Sequence, residues 1–461
     1  MQRSLYWFTK DLRINDNIAL NIASQSDTLL CVFVVDKRWF SPTNFQSVPL
    51  GIKRWQFLQA CLADLAQSLE NLGQKLHILY GDTSVCLQNL CHAYDITDIV
   101  YTDLPGSYEQ DIVNELKQTT ADITHHSIEQ FTLFNQELLP FEQAIFPISY
   151  SKFRKLVKHI EVPSPCELAS KVPKQPTVKL SEQISKTMTK AKIKPNWLPL
   201  VNTMSDFLLT TPFKGGETAA LNRLNNYFKS ALPASYKEVR NSLSGWENSS
   251  KLSPWLGYGC MSVRQVYESI RHFEATTAKN ESTQWLYVEL LWREYFQWLH
   301  FAIGDKTYQF KGLNQSPPLT SFYPERFAKW CLGNTPYPLV NACMRELKQT
   351  GYLSNRGRQI VASCLVNELA IDWRYGAAWF EEQLVDYDAA VNWGNWQYIA
   401  GVGVDPRGGR HFNLAKQAQL FDADNSYQQA WSPNNAQHSQ HLDSVDLADW
   451  PVSQKAKQLR N

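Results

Sequence analysis

Four short apolar runs in the first 160 residues alternate with segments of helical periodicity, and this alternation restricts the fold more than any other feature. The runs have the length of buried strands and span residues 5–8, 29–35, 76–80 and 96–101. The segment 55–72 between two of them places its apolar side chains on one helical face (Phe57, Leu58, Cys61, Leu62 and Leu65). Strands that alternate with helices predict a doubly wound parallel sheet, so we expect an α/β domain over residues 1–160.

The pattern changes near residue 201. From there to residue 431 the chain shows long helical periods with aromatic faces and few strand signals, which predicts an all-α domain. Residues 432–461 are polar and rich in Asn, Gln and Ser, as is typical of a loose tail. The predicted fold class is therefore an N-terminal doubly wound parallel-sheet domain followed by a C-terminal all-α domain.

Residues 161–200 are predicted to form a basic linker between the two domains. Residues 151–200 contain 11 Lys and Arg against 3 Asp and Glu, with several prolines and little periodicity. A solvated linker is the interpretation we favour. A strip that attracts DNA is the alternative.

Charge, hydropathy and cysteine spacing restrict how the protein can bind nucleic acid, membranes and metals. The formal net charge is +1, so any binding of nucleic acid must come from a local basic surface. No apolar run approaches the roughly 18 residues that span a bilayer, and Lys10, Asp11 and Arg13 interrupt a signal peptide. The nine scattered cysteines form no C-x-x-C pair, so we expect reduced thiols, no metal site and a monomer in the cytoplasm.

A cluster of hydroxyl groups near residue 250 is suited to a phosphate. Tyr236 is followed by Ser249, Ser250 and Ser253, the last of which lies at a predicted helix start. Hydroxyls and free N–H groups donate to phosphate oxygens there. Ordinary helix capping is the alternative.

The segment 289–296 combines charge and aromatic rings on one helical face. Glu289, Trp292, Arg293 and Phe296 fall at spacings of three, four and seven residues. A carboxylate and a guanidinium on an apolar face are costly to bury without partners, which favours a binding site. An intrahelical Glu289–Arg293 pair beside a core Trp is the alternative.

Two later segments carry further polar pairs. Asn355 and Arg358 share a helical face, either as ligand contacts or as solvated side chains. Asp386 and Asp388 precede Asn392 and are able to bind the amide edge and ribose of a flavin-like ligand, or simply to cap a helix. Because no G-x-G-x-x-G loop accompanies them, such a ligand would not bind in the Rossmann manner.

Taken together, these segments resemble the photolyase/cryptochrome family and, in detail, its DASH branch. The resemblance extends from the segment 6–17 to about residue 431, and its strongest blocks are residues 215–220, 354–359 and 392–396. It implies an antenna-type N-terminal domain and a U-shaped FAD deep in the helical domain. A folate antenna (methenyltetrahydrofolate) is a second cofactor that the family often holds.

The resemblance also implies roles for individual residues. The implied FAD contacts are Tyr236, Ser249, Ser250 and Ser253 at the phosphates, Arg293, Asn355 and Arg358 at the flanks, Asp386 and Asp388 at the ribose and isoalloxazine, and Asn392 at flavin N5. Trp396 and Trp373 match the inner and middle members of an electron-transfer chain.

The implied activity is blue-light-driven repair of cyclobutane pyrimidine dimers in single-stranded DNA by electron transfer from reduced FAD. Glu289 would hydrogen-bond the thymine carbonyls, and Trp292 and Tyr398 would stack on the extruded bases. The alternative is a blue-light photoreceptor that binds FAD and nucleic acid without repair. A pure sensor has no chemical need for the Glu289–Trp292 combination, which favours repair.

The sequence departs from the family at several positions. Gln359 and Tyr398 replace the Met and Trp of ordinary dimer photolyases and fit the DASH branch. The outer electron-transfer Trp is replaced by Thr320, with Phe322 and Tyr323 nearby, and Pro105 replaces the Glu that holds the folate pterin. The basic run 407–411 is either a contact to DNA phosphates or a solvated loop.

Overall fold

The computed structural model describes residues 1–167, 171–176, 213–404 and 408–432. The N-terminal part contains a parallel five-stranded sheet in the order β3-β2-β1-β4-β5. Its strands are β1 (Arg3–Phe8), β2 (Thr28–Asp36), β3 (Leu76–Gly81), β4 (Asp98–Thr102) and β5 (Thr124–Ile128). The predicted parallel sheet is confirmed, but β5 was missed because this edge strand is polar and has no apolar run.

Helices cover both faces of the sheet. They are α1 (Ile18–Ala23), α2 (Ile52–Asn71), α3 (Thr83–Tyr94), α4 (Ser107–Thr119) and α5 (Tyr150–Val157). Alternate residues of a strand point to opposite faces. Accordingly, Leu5 and Trp7 pack in the core beneath α3 and α4, whereas Tyr6 and Phe8 pack in the core shared with α1 and α2.

The C-terminal part is helical, as predicted. Its helices are α6 (Glu217–Lys229), α7 (Tyr236–Val239), α8 (Ser253–Gly257), α9 (Val263–Thr276), α10 (Glu281–Ile303), α11 (Pro324–Leu332), α12 (Pro338–Thr350), α13 (Asn355–Ser363), α14 (Trp373–Gln383), α15 (Ala389–Ala400), α16 (Leu414–Phe421) and α17 (Ser426–Ala430). A π-helical turn, Cys364–Glu368, follows α13.

Within the described ranges, no helix is long and apolar enough to cross a membrane. The same ranges contain no cluster of three or more potential metal ligands.

Buried charges near the N-terminus join the two parts of the molecule. Arg13 donates to the carbonyl of Gly259 at 3.0 Å, and Arg264 pairs with Asp16 at 2.7 Å. Gly259 has a φ of +66°, and a Cβ there would lie 1.9 Å from the carbonyl oxygen of Lys10, so only glycine fits. The motif residues of the segment 6–17 therefore build an interface.

The segment around Gly216 also builds the interface between the N-terminal and C-terminal parts. The Glu217 carboxylate is buried and accepts from the backbone N–H groups of Ile14 and Asn15 at 2.8 and 2.9 Å. Burial raises the pKa of Glu217, while these donors oppose the shift. Gly216 turns the chain into α6 with a φ of +104°.

Helix α10 is hydrogen-bonded to the segment that follows β5. Its Glu294 is fully buried and accepts from the backbone N–H groups of Leu133 at 2.8 Å and Phe134 at 3.2 Å. The indole of Trp298 donates to the same carboxylate at 2.8 Å. Three donors thus compensate the burial of this one side chain.

The described stretches of the predicted linker, 161–167 and 171–176, are bonded to the sheet domain. The N–H of Leu29 donates to the Lys174 carbonyl at 3.2 Å, and the Gln74 amide donates to the Pro173 carbonyl at 2.7 Å. Glu161, Lys171 and Lys174 in these stretches are nevertheless exposed to solvent, so the interpretation as a solvated linker stays a prediction. The rest of the linker and the tail beyond Ser432 lie outside the described residues.

We expect Glu294→Leu to lower the free energy of unfolding by about 2–4 kcal/mol, because it leaves buried N–H donors without an acceptor. Thermal unfolding followed by circular dichroism measures the effect. Glu281→Gln, at the exposed start of the same helix, is the control and should change little. An unaltered melting temperature for Glu294→Leu would contradict the assigned role.

Candidate functional site

A cavity of about 730 Å³ opens among the helices of the C-terminal part. Its volume lies within the range of small-molecule and cofactor sites. The predicted site residues in its lining are Tyr236, Ser249, Ser250, Ser253, Glu289, Trp292, Arg293, Asn355, Arg358, Asp386, Asp388, Asn392, Trp396 and Tyr398. The sequence-based selection therefore converges on one cavity, and Trp373 is the member that does not line it.

One end of the cavity carries the hydroxyl cluster. Ser249 and Ser250 precede Lys251, whose backbone is left-handed with a φ of +60°. Arg223, on α6, donates to the carbonyls of Ser250 and Ser249 at 2.9 and 3.2 Å and so fixes this turn. Sequence reasoning missed Arg223 because it acts on backbone atoms. Hydroxyls beside a lysine match the donors that a diphosphate requires.

Asp386 lies at the centre of a second polar group. Arg358 donates to it at 2.8 Å, and the Ser253 hydroxyl donates at 2.6 Å. Burial lowers the pKa of Arg358, but the Asp386 carboxylate outweighs that effect and holds the pKa above its ordinary value. The alternative of a solvated Arg358 is thus wrong, whereas Asn355 is exposed at the start of α13.

Asp388 caps helix α15, as the capping alternative predicted, and its side chain also lines the cavity. Its carboxylate accepts from the N–H of Val391 at 3.1 Å and from the Gln297 amide at 2.7 Å. Arg293 lies 3.8 Å from the same carboxylate.

Glu289 and Arg293 do not pair with each other, and that alternative is wrong. Arg293 donates to the Phe131 carbonyl at 2.9 Å and points towards Asp388, while burial lowers the pKa of its guanidinium. Glu289 forms an ion pair with Arg240, which sequence reasoning also missed.

Asn392 lies one helical turn after Asp388. Its side-chain amide donates to the Ala377 carbonyl on α14 at 3.0 Å. The Asn392 side chain therefore lines the cavity with its amide fixed by the hydrogen bond to Ala377. Any reorientation of the amide breaks this hydrogen bond.

The aromatic groups at the cavity mouth contact one another. Trp292 stacks on Tyr150 of α5 with 3.6 Å between ring centroids, and its ring lies 6.3 Å from Tyr398. Arg410 donates to the Tyr398 hydroxyl and lies over that ring at 5.0 Å. One face of Trp292 is thus covered by Tyr150, a partner that the sequence did not indicate. Arg407 of the basic run lies outside the described residues.

Trp396 and Trp373 belong to one buried aromatic cluster. A Cβ on Gly376 would lie 2.3 Å from the Trp396 ring, so α14, which carries Trp373, packs directly against this indole. Trp396 also contacts Phe380 and Trp330 at 5.1 and 6.2 Å.

The region predicted to replace the outer tryptophan is aromatic. Phe322 stacks on Tyr375 at 3.9 Å, and Tyr323 reaches the surface with 41% exposure. The Thr320 hydroxyl is buried and makes no hydrogen bond within the described part of the chain.

The cavity beside Pro105 is small. Lys10, Pro105 and Glu109 line a space of about 10 Å³ beside Asp388. Such a space holds about one water molecule and not a pterin ring. Because the expected carboxylate is also missing at Pro105, we assign no chemistry to an antenna.

Residues 4–171 match the DNA photolyase family, and residues 285–459 match the FAD binding domain of DNA photolyase. The chain is 44% identical to the Cryptochrome DASH of Idiomarina loihiensis, over 97% of this chain and 96% of that protein. It belongs to the photolyase/cryptochrome family. Identity to the Cryptochrome DASH of Vibrio parahaemolyticus is 42% over 97% of each chain, which confirms the predicted resemblance to the DASH branch.

Solved structures of this family confirm the fold. A cryptochrome from Synechocystis sp. PCC6803 superimposes with a TM-score of 0.88 at 34% identity, over 100% of this chain and 99% of that one. A class III photolyase from Agrobacterium tumefaciens gives 0.79 at 27% identity, over 100% and 96%. Arg358, Asp386 and Asp388 of the cavity lie in the part matched to the FAD binding domain, whereas the hydroxyl cluster precedes it. The hydroxyl and carboxylate groups fit the diphosphate and the N–H and hydroxyl donors of FAD.

We expect the double substitution Ser249→Ala and Ser250→Ala to weaken FAD binding about tenfold, because donors to a charged phosphate are lost. Fluorescence titration of the flavin-free protein with FAD measures the affinity. Ser244→Ala, at an exposed position outside the cavity, is the matched control. Equal affinities for all three proteins would remove the hydroxyl cluster from the cofactor site.

Proposed function

We propose that this protein repairs cyclobutane pyrimidine dimers in single-stranded DNA under blue light. The observation that carries the proposal is that Asp386 and Arg358 share one continuous cavity with Glu289, Trp292 and Tyr398. FAD held by the hydroxyl cluster, Arg358 and Asp386 would supply the light-driven electron when reduced.

Glu289 is placed to stabilise the dimer as negative charge develops. Its side chain is 34% exposed towards the cavity on the rigid helix α10. In its protonated form it donates a hydrogen bond to a thymine carbonyl. A donor that is fixed before the reaction lowers the barrier without further reorganisation.

Trp292 and Tyr398 support the extruded bases. Tyr150 holds one face of Trp292, and Arg410 holds the Tyr398 hydroxyl, so both rings are fixed before the substrate enters. Stacking of a base on such a ring contributes about 1–3 kcal/mol.

Single-stranded DNA is the substrate that the charges favour. Extruding a base from a duplex costs a few kcal/mol, and a protein with a net charge of +1 has little general attraction to offset this cost. Arg154 of α5 is exposed and lies one helical turn after Tyr150, the residue that stacks on Trp292. It supplies positive charge beside this aromatic pair.

We expect Glu289→Ala to retain FAD but to lower the repair yield at least about threefold, because the developing charge loses its preorganised donor. The measurement is dimer splitting in a single-stranded oligonucleotide by pre-reduced protein under blue light, with the flavin content determined in parallel. Glu281→Gln on the same helix serves as the control. Unchanged splitting by Glu289→Ala would remove this residue from the chemistry, and no splitting by the unaltered protein would favour the photoreceptor.

A further inference from the structure

Arg240 is the partner of Glu289. It follows helix α7, and its guanidinium forms an ion pair with the Glu289 carboxylate. It also lies over the ring of Trp285, 4.5 Å from the centroid. Because Trp285 and Glu289 are four residues apart on α10, ring and carboxylate hold the guanidinium at two adjacent points.

This ion pair lies in the cavity and not at a remote surface. Arg240, Trp285 and Glu289 all line the cavity, and the two charged side chains are 21% and 34% exposed. A partly exposed pair of this kind is weak, since water solvates both charges when they separate. Arg240 therefore exchanges partners at low cost.

A second guanidinium lies close to the first. Burial, followed by the positive charge of Arg240, lowers the pKa of Arg356. Arg356 donates to the Asn241 amide oxygen at 3.1 Å, so it is held beside the end of α7. The Arg356 guanidinium lies over the ring of Phe421, 4.7 Å from the centroid, so it adds positive charge near Arg240 without lining the cavity itself.

We propose that Arg240 exchanges partners when DNA binds: it pairs with Glu289 in the empty cavity and moves to a backbone phosphate of the entering strand. The inference rests on the proposed function, since it takes a single strand that carries the dimer as the ligand. A phosphate accepts a bidentate guanidinium as a carboxylate does, and Arg356 supplies additional positive charge.

The exchange prepares Glu289 for its role. While Arg240 is paired with it, the Glu289 carboxylate is occupied by the guanidinium. Once the cation moves to a phosphate, the Glu289 side chain is free to contact an extruded base in the cavity. Arg240 is thus a positioning residue that acts through Glu289.

A double-mutant cycle tests the exchange in the dark and without repair. The FAD-loaded wild type, Arg240→Gln, Glu289→Gln and the double variant are titrated with an undamaged fluorescent single strand at several salt concentrations. We expect Arg240→Gln to weaken binding about tenfold and to reduce the salt slope by about 1, because one phosphate contact is lost. We expect Glu289→Gln to tighten binding about two- to fivefold, because Arg240 is released from its pair.

The decisive result is the coupling between the two substitutions. Most of the gain from Glu289→Gln should disappear in the Arg240→Gln background. The pair Lys237–Glu281 joins the same two regions outside the cavity at 2.7 Å, so Glu281→Gln should not tighten binding.

Additive effects, or an unchanged salt slope for Arg240→Gln, would overturn the exchange and leave the repair proposal standing. Absence of any binding by the wild type would instead overturn the proposed substrate, and the exchange with it.

Discussion

The carboxylate of Glu294 lies fully buried where the sheet domain meets the helices, and the position of α10 depends on it. Backbone N–H groups of Leu133 and Phe134 donate to its two oxygens. A buried carboxylate is costly unless its acceptors are satisfied, so this geometry holds α10 in one place against the segment after β5. The neighbouring Arg293 adds a bond from the same helix to Phe131.

Helical periodicity places two sets of functional side chains on different faces of α10. Glu294 and Trp298 are directed to the interface, whereas Glu289 and Trp292 are directed to the cavity. One rigid helix thus joins the two domains and carries the groups proposed to contact the substrate. Precise placement of such groups requires this kind of support from packed neighbours. The ion pair with Arg240 adds a group that responds to the ligand.

Much of this arrangement could be predicted from the sequence, and the exceptions have physical causes. Apolar runs revealed four strands, but β5 carries polar residues at a sheet edge and gave no such signal. The spacing of Glu289, Trp292 and Arg293 correctly placed them in one cavity, yet the local pattern suggested a pair that does not form. Arg240 and Tyr150 approach from distant parts of the chain, and periodicity contains no information about such contacts. The block at Glu217 supported the family resemblance but is an interface and not part of the cavity.

We propose that one cavity holds both the FAD and a dimer extruded from a single strand. The most direct test is dimer splitting under blue light by pre-reduced protein, with matched single- and double-stranded oligonucleotides that carry the same dimer. We expect efficient splitting in the single strand and little in the duplex. FAD that is bound and photoreducible, without splitting in either substrate, would contradict it.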